Sequence, residues 1–241
     1  MNCHKRAGWR SILLKMITQP ARVRKMFGSI ARRYDLANHL LSCGIDFHWR
    51  WHAAEIVAGW RPLRIADLAT GTGDLALALQ KKLPDADIVG VDVLQEMLDL
   101  AQTKGVPQVL LADAMSLPFD NASFDCVTIA FGLRNLENWG AALCEMSRVL
   151  KPKGHLLVLE FSLPRTRILR VIYRFYLHRC VPLIGSSLTG IKSAYDYLGD
   201  SIEQFPNGTA MCELMAENGF AHPTFEPLTG GIVTIYTATK L

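Results

Sequence analysis

Between residues 63 and 161, short β-branched and aliphatic runs alternate with helical patterns, and that order leaves few architectures open. Runs at 63–69, 88–93, 108–113, 124–131 and 155–161 have strand character, and helical patterns at 74–83, 95–103 and 138–150 separate several of them. Strands joined through helices run parallel, and a parallel sheet needs both faces covered. The expected fold is therefore α/β. After residue 161 the pattern turns mostly helical, and a helix at 208–218 precedes two last strands at 224–228 and 232–238. Gly230-Gly231 between them predicts an antiparallel hairpin, closing a mostly parallel seven-stranded sheet. Residues 21–58 read as helical turns that fold over the ligand edge of the sheet as a cap.

A chain of 241 residues, half of them hydrophobic, buries enough surface for one domain of this kind. No uncharged apolar run approaches the roughly 18 residues needed to span a bilayer, and no secretory signal is visible, so a cytoplasmic protein is expected. Cys3, Cys43, Cys126, Cys144, Cys180 and Cys212 are dispersed and read as reduced thiols. His48, His155 and His178 suggest no metal site. The net charge of +4 conceals an asymmetry: residues 1–34 hold nine Lys/Arg and no acid, leaving 17 basic against 22 acidic residues in the rest. Such an arm suits an anionic lipid surface, nucleic acid or an organelle transit peptide, or is a solvated terminus.

In an open α/β sheet, ligands bind beyond the C-terminal ends of the strands, so the turn after the first strand is the place to look. That turn is Asp67-Leu68-Ala69-Thr70-Gly71-Thr72-Gly73-Asp74. Glycine accepts positive φ and lets the backbone approach a ligand, while the following helix presents unpaired N–H groups. Asp92 ends the second strand, where a carboxylate accepts both hydroxyls of a ribose. With Ala76 at the third position of the dinucleotide pattern, these residues admit a nicotinamide enzyme as well.

Asp113-Ala114 and Leu117-Pro118-Phe119 follow the third strand, Phe124-Asp125 enters the fourth, and Glu145-x-x-Arg148-Val149-Leu150-Lys151-Pro152-Lys153-Gly154 leads into the fifth. Singly, Asp113 reads equally as a helix cap and 151–154 as a turn. In this order the set resembles the class I S-adenosylmethionine methyltransferases, which have a Rossmann-like sheet. The resemblance implies S-adenosyl-L-methionine as cofactor, with Thr72 and the Gly71 and Gly73 backbone toward its methionine part. It likewise implies Asp92 on the ribose, Asp113 and Ala114 lining the adenine pocket and Ala130 under the sulfonium. Asp67 has two readings, as acceptor for the cofactor's amino group or as anchor of the turn.

Tyr34-Asp35-x-x-Asn38-x-x-Leu41-Ser42-x-x-x-Asp46-x-x-Trp49, the stretch 148–162 and Ala130-Phe131-Gly132-Leu133-Arg134-Asn135 resemble the UbiE/MenG C-methyltransferases of ubiquinone and menaquinone biosynthesis. So does Tyr195-x-Tyr197-Leu198-x-x-Ser201-Ile202-x-x-Phe205-Pro206, and the match runs from about residue 22 to the end. Ala37 stands where that family usually has Met, Asp46 where it usually has His, and Lys153 where Gly is common. The resemblance implies methyl transfer to a ring carbon of a polyprenylated quinol. Carbon becomes nucleophilic when a ring hydroxyl is deprotonated, so the site needs alignment, a proton acceptor and exclusion of water. Arg134 and Asn135 lie just beyond the fourth strand: Arg134 stabilises a developing phenolate or fixes the loop as an ion pair. Tyr34, Asp35 and Asn38 close over the ring, with Asp35 or a water it orients as base, or cap a helix.

Within 164–184, Arg167, Arg170 and Arg174 recur at helical spacing beside apolar residues, which suits either a helix at an anionic membrane surface or one packed on the sheet. The resulting division is a basic arm at 1–20 and one domain at 21–241. Within it, 21–58 is the cap, 63–162 the cofactor-binding core, 163–206 a substrate- and lipid-facing insertion and 207–241 the last helix and hairpin. Methylation of another small molecule, RNA binding or modification, and a silent cofactor-binding role compete. Against an RNA partner, the basic arm lacks interleaved stacking aromatics.

Overall fold

The computed structural model describes residues 39–189 and 192–241. Helix α1 (Ile45–Trp60) precedes β1 (Arg64–Leu68), α2 (Asp74–Lys82), β2 (Asp87–Asp92), α3 (Gln95–Lys104), β3 (Gln108–Leu111) and β4 (Phe124–Ala130). Next come α4 (Trp139–Val149), β5 (Leu150–Phe161), α5 (Arg167–Phe175), a π-helical turn (Tyr176–Cys180), α6 (Val181–Thr189) and α7 (Lys192–Gln204). Helix α8 (Thr209–Glu217), β6 (Phe220–Leu228) and β7 (Val233–Lys240) complete the described chain. No described helix is long and apolar enough to cross a membrane.

The seven strands lie in the order β3-β2-β1-β4-β5-β7-β6. Strands β1 to β5 are parallel, whereas β7 runs antiparallel to both β5 and β6. The period of two in a strand explains the two cores. Leu156 and Val158 of β5 face one side, with Leu143 and Met146 of α4 and Met211 and Met215 of α8. Leu157 and Leu159 face the other, with Ala53, Ala54 and Val57 of α1 and Leu75 and Leu79 of α2. All thirteen side chains are fully buried or nearly so. At about 1.5–3 kcal/mol for each large aliphatic chain, these faces dominate the stability of the sheet.

The structure moves several expected boundaries. Strand β3 stops at Leu111, so Asp113 belongs to the following turn, and β5 starts at Leu150 because 151–154 joins the strand rather than forming a turn. Lys153 there adopts φ 63, a conformation that glycine takes without strain. The final hairpin is antiparallel as expected, but β6 begins at Phe220 and Thr229–Gly231 forms a short 3₁₀ turn. The expected cap at 21–58 is described only from residue 39 onward, and the basic arm lies outside the described residues. None of the described cysteines, Cys43, Cys126, Cys144, Cys180 and Cys212, is in a disulfide.

From β1 the chain winds to β2 and β3 on one side, then returns to place β4 on the other, which opens a crevice between the ends of β1 and β4. Ala69 and Phe131, the residues leaving these strands, both adopt left-handed backbone, at φ 48 and 56. Gly132 follows, and a Cβ there would stand 2.5 Å from the Ala69 Cβ, so only glycine lets the two exits meet this closely.

Candidate active site

A cavity of about 530 Å³ fills this crevice and extends beneath the helical insertion. Gly71 and Thr72, Asp92, Asp113 and Ala114, and Ala130 all line it, from the ends of four successive strands. Asp92 is 9% exposed, and its Oδ2 accepts from the Gly71 amide at 2.9 Å and its Oδ1 from the Leu94 amide at 3.0 Å. Burial pushes its pKa up, and the amide hydrogen bonds oppose that shift. An acceptor-only group with lone pairs left toward a cavity suits a pair of hydroxyls. Beside it, no atom stands within 4 Å of where a Gly71 Cβ would be, so the turn leaves room for a ligand. Asp113 Oδ1 accepts from the Met115 amide at 2.9 Å, turning the chain so that small Ala114 joins the wall.

Two sequence candidates sit behind the cavity. Gly73 does not line it: a Cβ at this residue would lie 2.4 Å from Val106 Cγ2, and its φ is +86, so its glycine lets the turn pack on the end of α3 and the loop before β3. Asp67 is 1% exposed and accepts from Thr70 Oγ1 at 2.6 Å and Thr128 Oγ1 at 2.7 Å, tying the turn to β4. Burial drives its pKa up to about 6, against the two hydroxyl bonds. The folded protein therefore holds a proton on Asp67 at pH values where the unfolded chain has lost it. Stability contributed by this group is fully present below the unfolded value of 3.8 and is lost as pH rises through about 6. Wild type is expected to lose about 2 kcal/mol relative to Asp67→Asn between pH 4 and 7, read by urea unfolding of both proteins. A pH-independent difference would contradict it.

Arg134 and Asn135 stand at the far side of the cavity. Arg134 is 6% exposed; its Nη1 donates to Glu160 Oε1 at 2.6 Å and to the Phe131 carbonyl at 2.5 Å. Its backbone amide donates to Glu160 Oε2 at 3.3 Å, so the expected ion pair exists and fixes the loop after β4. Asn135 Nδ2 donates to the Phe131 carbonyl at 3.3 Å, and Tyr197 of α7 donates to Asn135 Oδ1 at 3.2 Å, linking the insertion to that loop. Tyr34, Asp35 and Asn38 lie outside the described residues.

Sequence reasoning gave no role at the site to four charged residues around this cavity. Arg50 of α1 reaches Asp46 Oδ2 at 2.5 Å, lies 3.9 Å from Asp74 and sits over the Phe131 ring at 5.2 Å. Asp46, 3% exposed, also accepts from Ser42 Oγ at 2.7 Å and faces His39 Nδ1 at 2.7 Å. Its burial raises the pKa, but the Ser42 bond, Arg50 and His39 together hold the carboxyl below its ordinary value. Lys104, at the end of α3, donates to Thr72 Oγ1 at 3.1 Å and pairs with Asp74. Glu160 is the fourth. The Asp46-x-x-x-Arg50 spacing and an acid inside the apolar run 156–161 were the available signals.

The described residues fit S-adenosylmethionine: Asp92 offers acceptors to the ribose, Ala112 and Ala114 leave room for a flat ring, and Gly71 leaves backbone accessible. This sheet order with such a site at its switch point defines a class I S-adenosylmethionine-dependent methyltransferase. Among solved structures, a Thermotoga maritima SAM-dependent methyltransferase, described as a possible histamine N-methyltransferase, superposes with TM-score 0.65 at 19% identity, covering 91% of this chain and 100% of that one. The plantazolicin methyltransferase BpumL, solved with a substrate analogue and SAH, gives 0.67 at 13% identity over 96% of this chain and 98% of its own. These likenesses concern the fold. The family profile of the ubiE/COQ5 methyltransferases matches residues 15–240, and the chain belongs to that family. A demethylmenaquinone methyltransferase from Thermus thermophilus is 44% identical over 89% of this chain and 100% of its own length. The ubiquinone/menaquinone biosynthesis C-methyltransferase UbiE of Geobacter sulfurreducens is 42% identical over 96% of this chain and 93% of its own.

Proposed function

We propose that this methyltransferase acts on a ring carbon of a polyprenylated quinol, converting demethylmenaquinol to menaquinol or methylating the corresponding ubiquinol precursor. One observation carries this reading: a single cavity runs from the Gly71 and Asp92 floor to an apolar wall of Leu169, Ile172, Leu177 and Val181 on the insertion. Such a wall suits an isoprenoid tail, and the names of the relatives state the same substrate class. In the reaction a ring C–CH₃ bond replaces the sulfonium S–CH₃ bond of the cofactor, and the ring releases a proton as it regains aromaticity.

The chain's own residues orient and dry this site. Asp92 holds the ribose, and Asp113 and Ala114 border the adenine pocket. Ala130 ends β4 at the reacting side and Phe131 follows it, packing on Phe161 with ring centroids 4.5 Å apart while Trp49 flanks both. This aromatic corner excludes water, which strengthens any charge–charge contact with a developing phenolate. Arg134 is the cation placed for that contact, and Asn135 is oriented by Tyr197. The described part of the cap, residues 39–58, and the insertion at 163–206 make up the substrate side of a protein that works peripherally at the membrane.

Incubation with labelled donor and either reduced demethylmenaquinol or the methoxy-benzoquinol precursor, followed by identification of the product, tests the assignment. A ring-methylated quinol from at least one is expected. Transfer to neither substrate, by protein that binds the donor, overturns it.

A further inference from the structure

Helix α5 exposes an apolar stripe that the methyl-transfer chemistry leaves unused. With about 100° between successive residues, Ile168, Val171, Ile172 and Phe175 fall on one face. They are 77, 63, 59 and 64% exposed, although large aliphatic and aromatic side chains are normally sheltered when clustered. Leu183 adds another chain at 67% exposure further along the continuous helical path through the π turn and α6.

Two borders give this stripe a direction. Arg167, Arg170 and Arg174 occupy the adjacent face and are exposed. Arg170 donates to the Pro164 carbonyl at 2.8 Å, and Arg174 is bound to Glu203 at 2.7 and 2.9 Å. Residues 161–195 contain five arginines, one lysine and no Asp or Glu, in a chain whose residues 35–241 are otherwise net acidic. On the opposite border the stripe turns into the cavity, because Ile172 and Leu169 line it while Tyr173 beneath them is buried.

We propose that this face docks on an anionic lipid bilayer, with Ile168, Val171, Ile172 and Phe175 entering the acyl boundary and the arginines meeting lipid phosphates. Its use rests on the quinol reading: a prenyl tail passes along Ile172 and Leu169 into the cavity without crossing water. An amphipathic helix with cations beside its apolar face is built for such an interface. A second copy of the chain is a poorer occupant, since a two-fold contact would set one arginine stripe near another.

The test is sedimentation of the full chain with vesicles of phosphatidylcholine alone or mixed with phosphatidylglycerol. Salt-sensitive binding to the mixed vesicles is expected. Ile168→Asp/Phe175→Asp should raise the lipid concentration for half-binding at least about tenfold, with S-adenosylhomocysteine affinity unchanged as the check on folding. Arg167→Glu should weaken binding by a smaller factor. Three results overturn the proposal: no vesicle binding by wild type, unaltered binding by the double variant, or a wild-type dimer that the substitutions split. Methyl transfer to a soluble short-tailed quinol separates the two readings. Its absence in wild type defeats the quinol assignment whatever the vesicles show, while its retention in a variant that no longer binds vesicles supports both.

Discussion

Asp92→Ala is expected to weaken S-adenosylhomocysteine binding by about 10² to 10³-fold, measured by titration calorimetry, while the protein stays folded. The carboxylate is the one acidic group at the end of β2, it is 9% exposed, and it lines the cavity floor. Charge-assisted hydrogen bonds contribute about 1.5–3 kcal/mol each, so two to ribose hydroxyls amount to about 3–6 kcal/mol, and the lower part of that span gives the range. A second consequence adds to the first. Asp92 also accepts from the Gly71 and Leu94 amides, so its loss loosens the turn that meets the methionine part. Asp92→Asn separates the two contributions, because it keeps the shape and one acceptor oxygen; an affinity between wild type and Asp92→Ala is expected. The thermal shift produced by the ligand should shrink in parallel, since only binding to the folded state stabilises it. Affinity within threefold of wild type in Asp92→Ala would remove the adenosine assignment from this carboxylate.

The floor of the site was legible because its groups are set by strand ends. Gly71, Thr72, Asp92, Asp113, Ala114 and Ala130 each follow or end a strand whose period marks its limits, and parallel strands deliver their ends to one edge. The same logic misplaced Gly73, since a glycine spacing cannot tell a backbone that approaches a ligand from one that approaches Val106. Asp67 and Thr128 are 61 residues apart in sequence and neighbours only across the β1–β4 pairing, so one of the two readings of Asp67 needed the sheet order. Lys104 meets Thr72 across 32 residues and Trp49 donates to Thr229 across 180, contacts that no local pattern encodes. The helical insertion was legible as helix and as amphipathic. Which face it turned to the sheet was not, and the structure shows that Tyr173 and Leu177 are buried while Ile168 and Phe175 face outward.

Breaking the Arg134–Glu160 pair should have the largest effect on stability of any substitution at this site. Glu160 is 0% and Arg134 is 6% exposed, so either partner alone is a charge without solvent. Removing one member of such a pair costs about 3–5 kcal/mol, whereas replacing both with apolar residues of similar volume is often neutral. Arg134→Met is therefore expected to be severely destabilised, and Arg134→Met/Glu160→Met to recover most of the loss, measured by urea unfolding. The pH dependence follows from Glu160, whose pKa burial already raises against the opposing pull of Arg134. Without Arg134 the folded state holds the Glu160 proton more tightly still. Stability of the single variant is then lost as pH rises from the ordinary carboxylate range toward neutrality, and its deficit is smallest at pH 4 to 5. The double variant should show no such slope. It also settles what the guanidinium does for the reaction, because it is folded and keeps the floor formed by Asp92. Donor affinity close to wild type with turnover down at least about a hundredfold is the outcome expected of a cation that meets a developing phenolate. Turnover within a few-fold of wild type would leave Arg134 with the loop after β4 as its whole task.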